Sequence, residues 1–147
     1  MKVLLLDTNV ASYPIYLSLI ESKFEVFVCG NNQDDCLARI SKNFLKIDYS
    51  NISKVIDLCN KFQINFVLPG CNDVSYKSAS LCNERLKNKI NITENVKSDI
   101  INNKYLFKKF ALKNGINVPQ NIDPGIDKIP INKKIIIKPS DSYSGNG

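Results

Sequence analysis

The sequence predicts an α/β fold, with a doubly wound and mostly parallel sheet. Short, continuous apolar runs recur along the chain, and each is followed by a segment whose apolar residues repeat at helical spacing. Runs without polar alternation are typical of strands that are buried on both faces of a sheet. Strands that alternate with helices in this order imply parallel pairing through right-handed crossovers.

The first part of the chain predicts four strands and four helices in alternation. The first strand covers residues 3–6, and the turn and cap residues of "DTNVASYP" lead from it into a helix. That helix is indicated by Ile15, Tyr16, Leu19 and Ile20, which recur at helical spacing. The later segments are strands at 25–29, 44–47 and 65–68, and helices at 34–41, from about 50 to 62, and from about 74 to 87.

The alternation of predicted strands and helices ends at about residue 89. Asn102 or Asn103 is a suitable cap for a helix that Gly115 would end, and its inner face would carry Leu106, Phe107, Phe110 and Ala111. Residues 135–138 predict a further strand, and a loop rich in glycine and serine follows it. The alternation of strands and helices is therefore confined to the first part of the chain.

Composition narrows the class of protein. A hydrophobic content of 44% and a charged content of 23% are typical of a soluble globular protein of 147 residues. The net charge is +6, but the lysines are dispersed, so we expect no nucleic-acid partner. No apolar run approaches the roughly 20 residues of a membrane span, and Asp7 interrupts the first run too early for a signal peptide. We therefore expect a cytoplasmic protein without a membrane partner.

Cysteine and histidine usage restricts the chemistry. The five cysteines include no CxxC pair, and the chain has no histidine to complete a zinc site. Most of the cysteines are expected to be small core residues, and no metal ligands are assigned. Without histidine, a Ser-His-Asp or Cys-His nucleophile cannot be assembled. The chemistry that remains rests on Lys, Asp, Glu, backbone amides or a bound metal.

Lys138 stands between the last apolar run and the glycine-rich loop. A loop of this kind after a strand can bring backbone N–H groups close to phosphate oxygens. A lysine that is partly buried at this position would be stabilised by a bound anion, because burying an unpaired ammonium is costly. The alternative is that Lys138 extends into solvent at an edge, and the spacing leaves both readings open.

The segment "NKYLFKKFALKNGINVP" followed by "IIIKPSDSYSGNG" resembles the ATP-grasp enzymes, which are carboxylate–amine ligases related to carbamoyl phosphate synthetase, biotin carboxylase and D-alanine–D-alanine ligase. In that family a helix that begins with Asp-Lys or a variant leads to a "GI-x-x-P" turn. A later strand reads "(V/I)(V/I)KP" before a flexible loop that covers the ATP phosphates. The resemblance covers the whole chain, because residues 1 to about 95 match the Rossmann-like pre-ATP-grasp domain that normally precedes these motifs. It implies a first domain at 1–95 and the beginning of an ATP-grasp domain at 96–147.

The resemblance implies functional residues. Asn103 stands where the family often has Asp, and "PGCND" at 69–73 is similar to the segment that borders the acceptor substrate. Asp73 is therefore a candidate on the substrate side, with a helix N-cap as the alternative. The residues expected at the ATP phosphates are Lys104, Lys138, Ser142, Ser144, Gly145 and Gly147.

The family pattern also implies groups that this sequence lacks. In the family, an adenine-contacting hinge and a lobe with the Mg²⁺ ligands follow the loop, so ATP and Mg²⁺ are the expected cofactors of the full enzyme and no catalytic residue is assigned. Small-molecule carboxylate and amine substrates are the implied partners. We expect the chain to be an N-terminal part that stops within the glycine-rich loop, without ligase activity and with weak or absent ATP binding.

Two rivals belong to other classes. The chain could act as a non-catalytic α/β binding or subunit module that pairs with a separate C-terminal half. An autonomous flavodoxin-like or nucleotide-sugar module would need glycines after the first strand, and "DTNVASYP" has none. The sequence does not choose between a homodimer and a complementary half, and it does not identify the acid and acceptor substrates.

Overall fold

The computed structural model of the chain describes residues 1–86, 99–101, 103–120, 122, 128, 132 and 134–136. The chain separates into two compact units, Met1–Ser98 and Asp99–Gly147, and each is described by itself. The predicted boundary between residues 95 and 96 lies outside the described residues and stays a prediction.

The first unit is a parallel sheet of four strands in the order β3-β2-β1-β4. A helix follows each strand, so the predicted α/β fold class is confirmed. A single 3-10 turn, Val10–Ser12, precedes the first helix. The strands are β1 (Lys2–Leu6), β2 (Glu25–Gly30), β3 (Phe44–Lys46) and β4 (Phe66–Pro69), and the helices are α1 (Tyr13–Glu21), α2 (Cys36–Ile40), α3 (Ile52–Phe62) and α4 (Asp73–Leu86).

Helices cover both faces of this sheet. On one face, Leu4 and Leu6 pack in a cluster with Val55 of α3 and Cys82 of α4. On the other face, Leu5 packs in a cluster with residues of α1 and α2. Successive side chains of a strand point to opposite faces, so a strand covered on both sides must be apolar throughout. This explains why the run at residues 3–6 is fully buried.

The outer edge of β4 is covered by a side chain of α4. Asn83 donates from Nδ2 to the carbonyl oxygen of Val67 at 2.8 Å, and its Oδ1 accepts from the backbone N–H of Val67 at 3.1 Å. These two hydrogen bonds reproduce what a neighbouring strand would supply. Asn83 is buried, so the amide of its side chain satisfies two backbone groups away from water.

In the second unit the structure describes one long helix, α5 (Lys104–Lys113). Asn103 caps it by accepting from the backbone N–H groups of Tyr105 and Leu106 at 3.0 Å, and Gly115 follows with φ 71°. The cap and the stop residue agree with the sequence prediction.

The predicted inner face of α5 is only partly buried. Ala111 is fully buried, whereas Leu106, Phe107 and Phe110 are 39%, 46% and 45% exposed. A periodic pattern shows which side of a helix is apolar, but burial also requires an element that packs on that side.

The predicted strand at 135–138 is not found at its described residues. Ile135 and Ile136 lie outside any strand, and Ile136 is 81% exposed. An apolar run becomes a strand only where a second strand pairs with it, and pairing cannot be derived from the run itself. Ile137 and Lys138 lie outside the described residues. In the part of the chain that the structure describes, no helix is long and apolar enough to cross a membrane.

Candidate functional site

The carboxyl ends of β1 and β4 mark the candidate site. Within the sheet, β2 and then β3 lie on one side of β1, and β4 lies on its other side. The connections therefore leave the sheet in opposite directions at this point, which is where ligands bind in open α/β sheets. Two loops meet there, residues 7–12 after β1 and residues 70–72 after β4, and we call them the switch-point loops.

Asp7 organises the first of these loops. Its backbone has φ 120°, in a region that a residue with a side chain rarely adopts, and the residue is only 4% exposed. Its carboxylate accepts from Asn9 Nδ2 at 2.8 Å and 2.6 Å, and from Ser12 Oγ at 2.6 Å. Strain of this kind costs about 1–3 kcal/mol and persists only where the surroundings determine it. The hydrogen bonds of the carboxylate hold Asp7 in this conformation.

Ser12 joins the two loops. Its hydroxyl donates to Asp7 and accepts from the backbone N–H of Cys71 at 3.0 Å. Next to it, the backbone N–H of Gly70 donates to the carbonyl oxygen of Leu6 at 2.8 Å. A Cβ at Gly70 would lie 2.5 Å from Ser12 Oγ and 2.6 Å from that carbonyl oxygen, so only glycine allows this approach.

Six of the nine backbone N–H groups of these loops donate to an acceptor within the protein. A phosphate cradle requires backbone N–H groups that point at a ligand without an internal acceptor. The internal acceptors are the Cys29 carbonyl for Asp7, the Asp7 carboxylate for Asn9, Asn9 Oδ1 for Ala11, the Asn9 carbonyl for Ser12, the Leu6 carbonyl for Gly70 and Ser12 Oγ for Cys71. These six N–H groups are therefore not available to a phosphate group.

A second polar cluster lies at the carboxyl end of β2. Thr8 Oγ1 donates to Asp35 Oδ2 at 2.5 Å, and Asn32 Nδ2 donates to Asp35 Oδ1 at 2.7 Å. A Cβ at Gly30 would overlap the side chain of Thr8. Both oxygens of the Asp35 carboxylate thus have partners, and they link the loop after β1 to the loop after β2.

The loop after β4 leads into α4. Asn72 is its cap, because Asn72 Oδ1 accepts from the backbone N–H of Ser75 at 2.8 Å. Asn72 Nδ2 also donates to the hydroxyl of Tyr49 at 3.3 Å, and burial raises the pKa of Tyr49 above its usual value. Asp73 is the first residue of α4 and is exposed at this edge of the sheet, so the alternative reading of Asp73 as the cap is wrong.

The residues that the sequence assigns to ATP are mostly beyond what the structure describes. Lys104 is the exposed first residue of α5, directly after the Asn103 cap. The remaining residues of that assignment lie outside the described residues, and their role stays a prediction: Lys138, Ser142, Ser144, Gly145 and Gly147.

Three of the five cysteines are core residues, as expected. Cys29, Cys59 and Cys82 are buried, whereas Cys36 is half-buried and Cys71 is exposed. Burial raises the pKa of all three core thiols, to about 12 for Cys59 and about 11 for Cys82. Their protons are held too tightly for a thiolate role near neutral pH.

Sequence reasoning missed Asp7, Ser12 and Gly70 as site residues. The sequence predicts turn and cap residues for "DTN", and the candidate taken from "PGCND" is Asp73 rather than Gly70. The available signal is positional, because these polar and small residues directly follow two strands that become neighbours in the sheet.

Solved structures share this fold at low sequence identity. An L-amino acid ligase from Bacillus licheniformis matches with a TM-score of 0.74 and 12% identity, over 97% of this chain and 38% of that one. A phosphoribosylglycinamide synthetase from Anaerococcus prevotii matches with a TM-score of 0.65 and 14% identity, over 79% and 29%. An N5-carboxyaminoimidazole synthetase from Staphylococcus aureus, solved with ADP, matches with a TM-score of 0.62 and 13% identity, over 78% and 29%.

These proteins are ATP-grasp carboxylate–amine ligases, so the predicted resemblance is confirmed at the level of the fold. The chain spans only 29–38% of the length of these three proteins. No protein-family model and no curated protein matches the sequence.

Proposed function

We propose that the chain forms the N-terminal part of an ATP-dependent carboxylate–amine ligase that acts through an acyl phosphate. The observation that carries this proposal is the fold match over 97% of the chain to an L-amino acid ligase. In such a reaction a carboxylate oxygen attacks the γ-phosphorus of ATP and ADP leaves. The amine nitrogen then attacks the acyl carbon, and phosphate leaves with the electron pair of the broken C–O bond.

The two units have different roles in this proposal. Six amides of the switch-point loops are paired within the protein, and the Asp7 carboxylate lies beside them, so we do not assign the nucleotide to these loops. Following the family resemblance, the ATP phosphates are assigned to Lys104 and Lys138, as point charges on long side chains, together with the glycine-rich loop at 142–147. ATP supplies the phosphoryl group, and Mg²⁺ would neutralise the developing charge.

The substrate side is assigned to the carboxyl edge of the sheet. Asp73 is exposed there at the start of α4, next to the capping residue Asn72. Small carboxylate or amine substrates fit such an edge, because side chains from neighbouring strands converge on it. The rigid Asp7–Ser12 pair would keep the two loops in one arrangement when the substrate binds.

A second candidate is a subunit module without activity of its own. Such a module would pair with a separate C-terminal half. Co-purification with a complementary chain would support this candidate, and pull-downs that recover no such chain would count against it.

Nucleotide binding is tested by thermal melts with and without MgATP. Weak binding with a Kd of roughly 1 mM would stabilise the fold by about 1.4 kcal/mol at about 10 mM ligand. We expect a rise of the melting midpoint that Lys138→Ala and Lys104→Ala reduce. The controls Lys134→Ala and Lys113→Ala remove the same charge at exposed positions and should keep the rise.

Inorganic tripolyphosphate separates nucleotide binding from unspecific attraction to a chain of charge +6. If tripolyphosphate raises the midpoint equally in all four variants, the charge of the whole chain explains the effect. If MgATP produces no rise at all, the two lysines do not form a nucleotide site in this chain, and the assignment is wrong.

A further inference from the structure

The hydroxyl of Tyr49 joins the loops that follow the two outer strands of the sheet. Tyr49 comes shortly after β3 and Asn72 shortly after β4, and β2 and β1 lie between these strands. Adjacent strands are about 4.8 Å apart, so the outer strands of a four-stranded sheet are separated by about 14 Å. The loops meet because Asn72 Nδ2 donates to the Tyr49 hydroxyl at 3.3 Å. The Tyr49 ring packs against the core cluster on the face that α3 and α4 cover, which holds the hydroxyl at the carboxyl end of the sheet.

The hydroxyl of Tyr49 accepts this hydrogen bond and keeps its own hydrogen. Asn72 Oδ1 accepts from the backbone N–H of Ser75 at 2.8 Å, so the NH₂ group of Asn72 is the part that faces Tyr49. An NH₂ group only donates, whereas a tyrosine hydroxyl can accept and donate at once. Among the residues that the structure describes, none accepts the hydrogen of the Tyr49 hydroxyl. The hydroxyl is therefore a positioned donor at the edge where the candidate site lies.

The surroundings keep the Tyr49 hydroxyl protonated near neutral pH. Burial raises the pKa of Tyr49 above its usual value, and the carboxylates of Asp7 and Asp48 raise it further. The charged side chains that raise this pKa are thus both negative. A ligand carboxylate at this place would be repelled by them, whereas an ammonium group would be attracted.

We propose that Tyr49 recognises the amine substrate of the proposed ligase by donating a hydrogen bond to an oxygen of that substrate. This inference rests on the proposed function. The substrate class is a small cationic amine that carries an amide, carbonyl or hydroxyl oxygen close to its nitrogen. Asn72 is the positioning residue, because it acts only through the Tyr49 hydroxyl. Asp73, exposed directly after Asn72, supplies a further carboxylate for the ammonium group.

The test compares two amines of similar shape, of which one carries an oxygen. Glycinamide has a carboxamide where isobutylamine has an isopropyl group, and both are mainly cations at about pH 6.5. Titrations of the ¹⁵N-labelled chain by heteronuclear NMR give the two dissociation constants. The side-chain NH₂ of Asn72 and the backbone N–H of Cys71 report binding at this edge. We expect the wild-type chain to bind glycinamide about two- to tenfold more tightly, the effect of one hydrogen bond.

Tyr49→Phe removes the hydroxyl and keeps the ring. It should weaken the binding of glycinamide by about two- to tenfold and leave that of isobutylamine unchanged. A merely structural role of Tyr49 would weaken the binding of both amines. Tyr16→Phe is the matched control, because Tyr16 packs against the cluster on the other face of the sheet, and it should keep the preference for glycinamide.

Three results would overturn the inference. The wild-type chain could bind neither amine up to about 100 mM, it could bind both equally, or its preference for glycinamide could survive Tyr49→Phe. The experiment needs no ATP, so it is independent of the melts with MgATP. A preference that depends on Tyr49 in a chain that does not bind MgATP would keep the amine site and reject the nucleotide assignment. MgATP binding without this preference would keep the nucleotide assignment and reject the role of Tyr49.

Discussion

The hydroxyl of Ser12 is the smallest group whose removal should loosen the candidate site. It donates to the carboxylate of Asp7 at 2.6 Å and accepts from the backbone N–H of Cys71 at 3.0 Å. Ser12→Ala removes both hydrogen bonds and leaves a very small change in volume. The substitution therefore tests whether the link between the two switch-point loops stabilises the first unit.

The magnitude follows from the two bonds. A hydrogen bond to a charged group contributes about 1.5–3 kcal/mol, and an unpaired buried donor costs about 1–3 kcal/mol. Cys71 is exposed, so water can reach part of its backbone and the second contribution lies at the lower end. We expect Ser12→Ala to lower the free energy of unfolding by about 2–4 kcal/mol.

Urea denaturation followed by circular dichroism measures this change. Ser53→Ala, at an exposed position of α3, is the matched control and should stay within about 0.5 kcal/mol of the wild type. A double-mutant cycle with Asp7→Asn should give a coupling energy of about 0.5–3 kcal/mol, since the two side chains are in contact. If Ser12→Ala is as stable as Ser53→Ala, the two loops are held by other contacts and the reasoning is wrong.

Two further predictions concern the core of the first unit. Asn83→Ala leaves the backbone N–H and carbonyl of Val67 without these hydrogen-bond partners. It should lower the free energy of unfolding, measured in urea, by about 2–5 kcal/mol and speed hydrogen exchange at Val67. Asn60→Ala, on the surface of α3, should do neither. Burial raises the pKa of Cys59 to about 12 and of Cys82 to about 11, above the 9.0 of an unperturbed thiol, so the folded state holds these protons more tightly than the unfolded state. The contribution of the two protonated thiols to stability is complete below pH 9 and is lost as the pH rises through 11 to 12. The urea midpoint should therefore fall above pH 9. A midpoint that stays level to pH 11 would contradict this prediction.

Hydrophobic pattern was sufficient to predict the sheet. Apolar runs without alternation identified all four strands, because a strand covered on both faces has no polar positions. Their ends were less predictable. The predicted second and fourth strands end at residues 29 and 68, but Gly30 pairs with Lys46 and Pro69 with Leu6 as the last residues of their strands. Strand length depends on the neighbouring strand, and a single segment carries no information about its neighbour.

The candidate site was less accessible to sequence reasoning than the fold. The left-handed conformation of Asp7 cannot be recognised, since positive φ is normally indicated by glycine or asparagine. The contacts that hold it join residues from two loops, and the partner of Ser12 at Cys71 lies 59 residues away. Only the strand order brings these loops together, so the site could be found only after the topology was known.

The loop after β1, residues 7–12, contains no glycine, and this affects where the proposed ligase would bind phosphate. Phosphate loops at this position use glycine so that free backbone N–H groups approach the ligand closely. Here side chains occupy that place, and the Asp7 carboxylate, which accepts from Asn9 and Ser12, would repel a phosphate. In the proposed ligase the first unit would therefore position a substrate, and the lysines of the second unit would hold the phosphates.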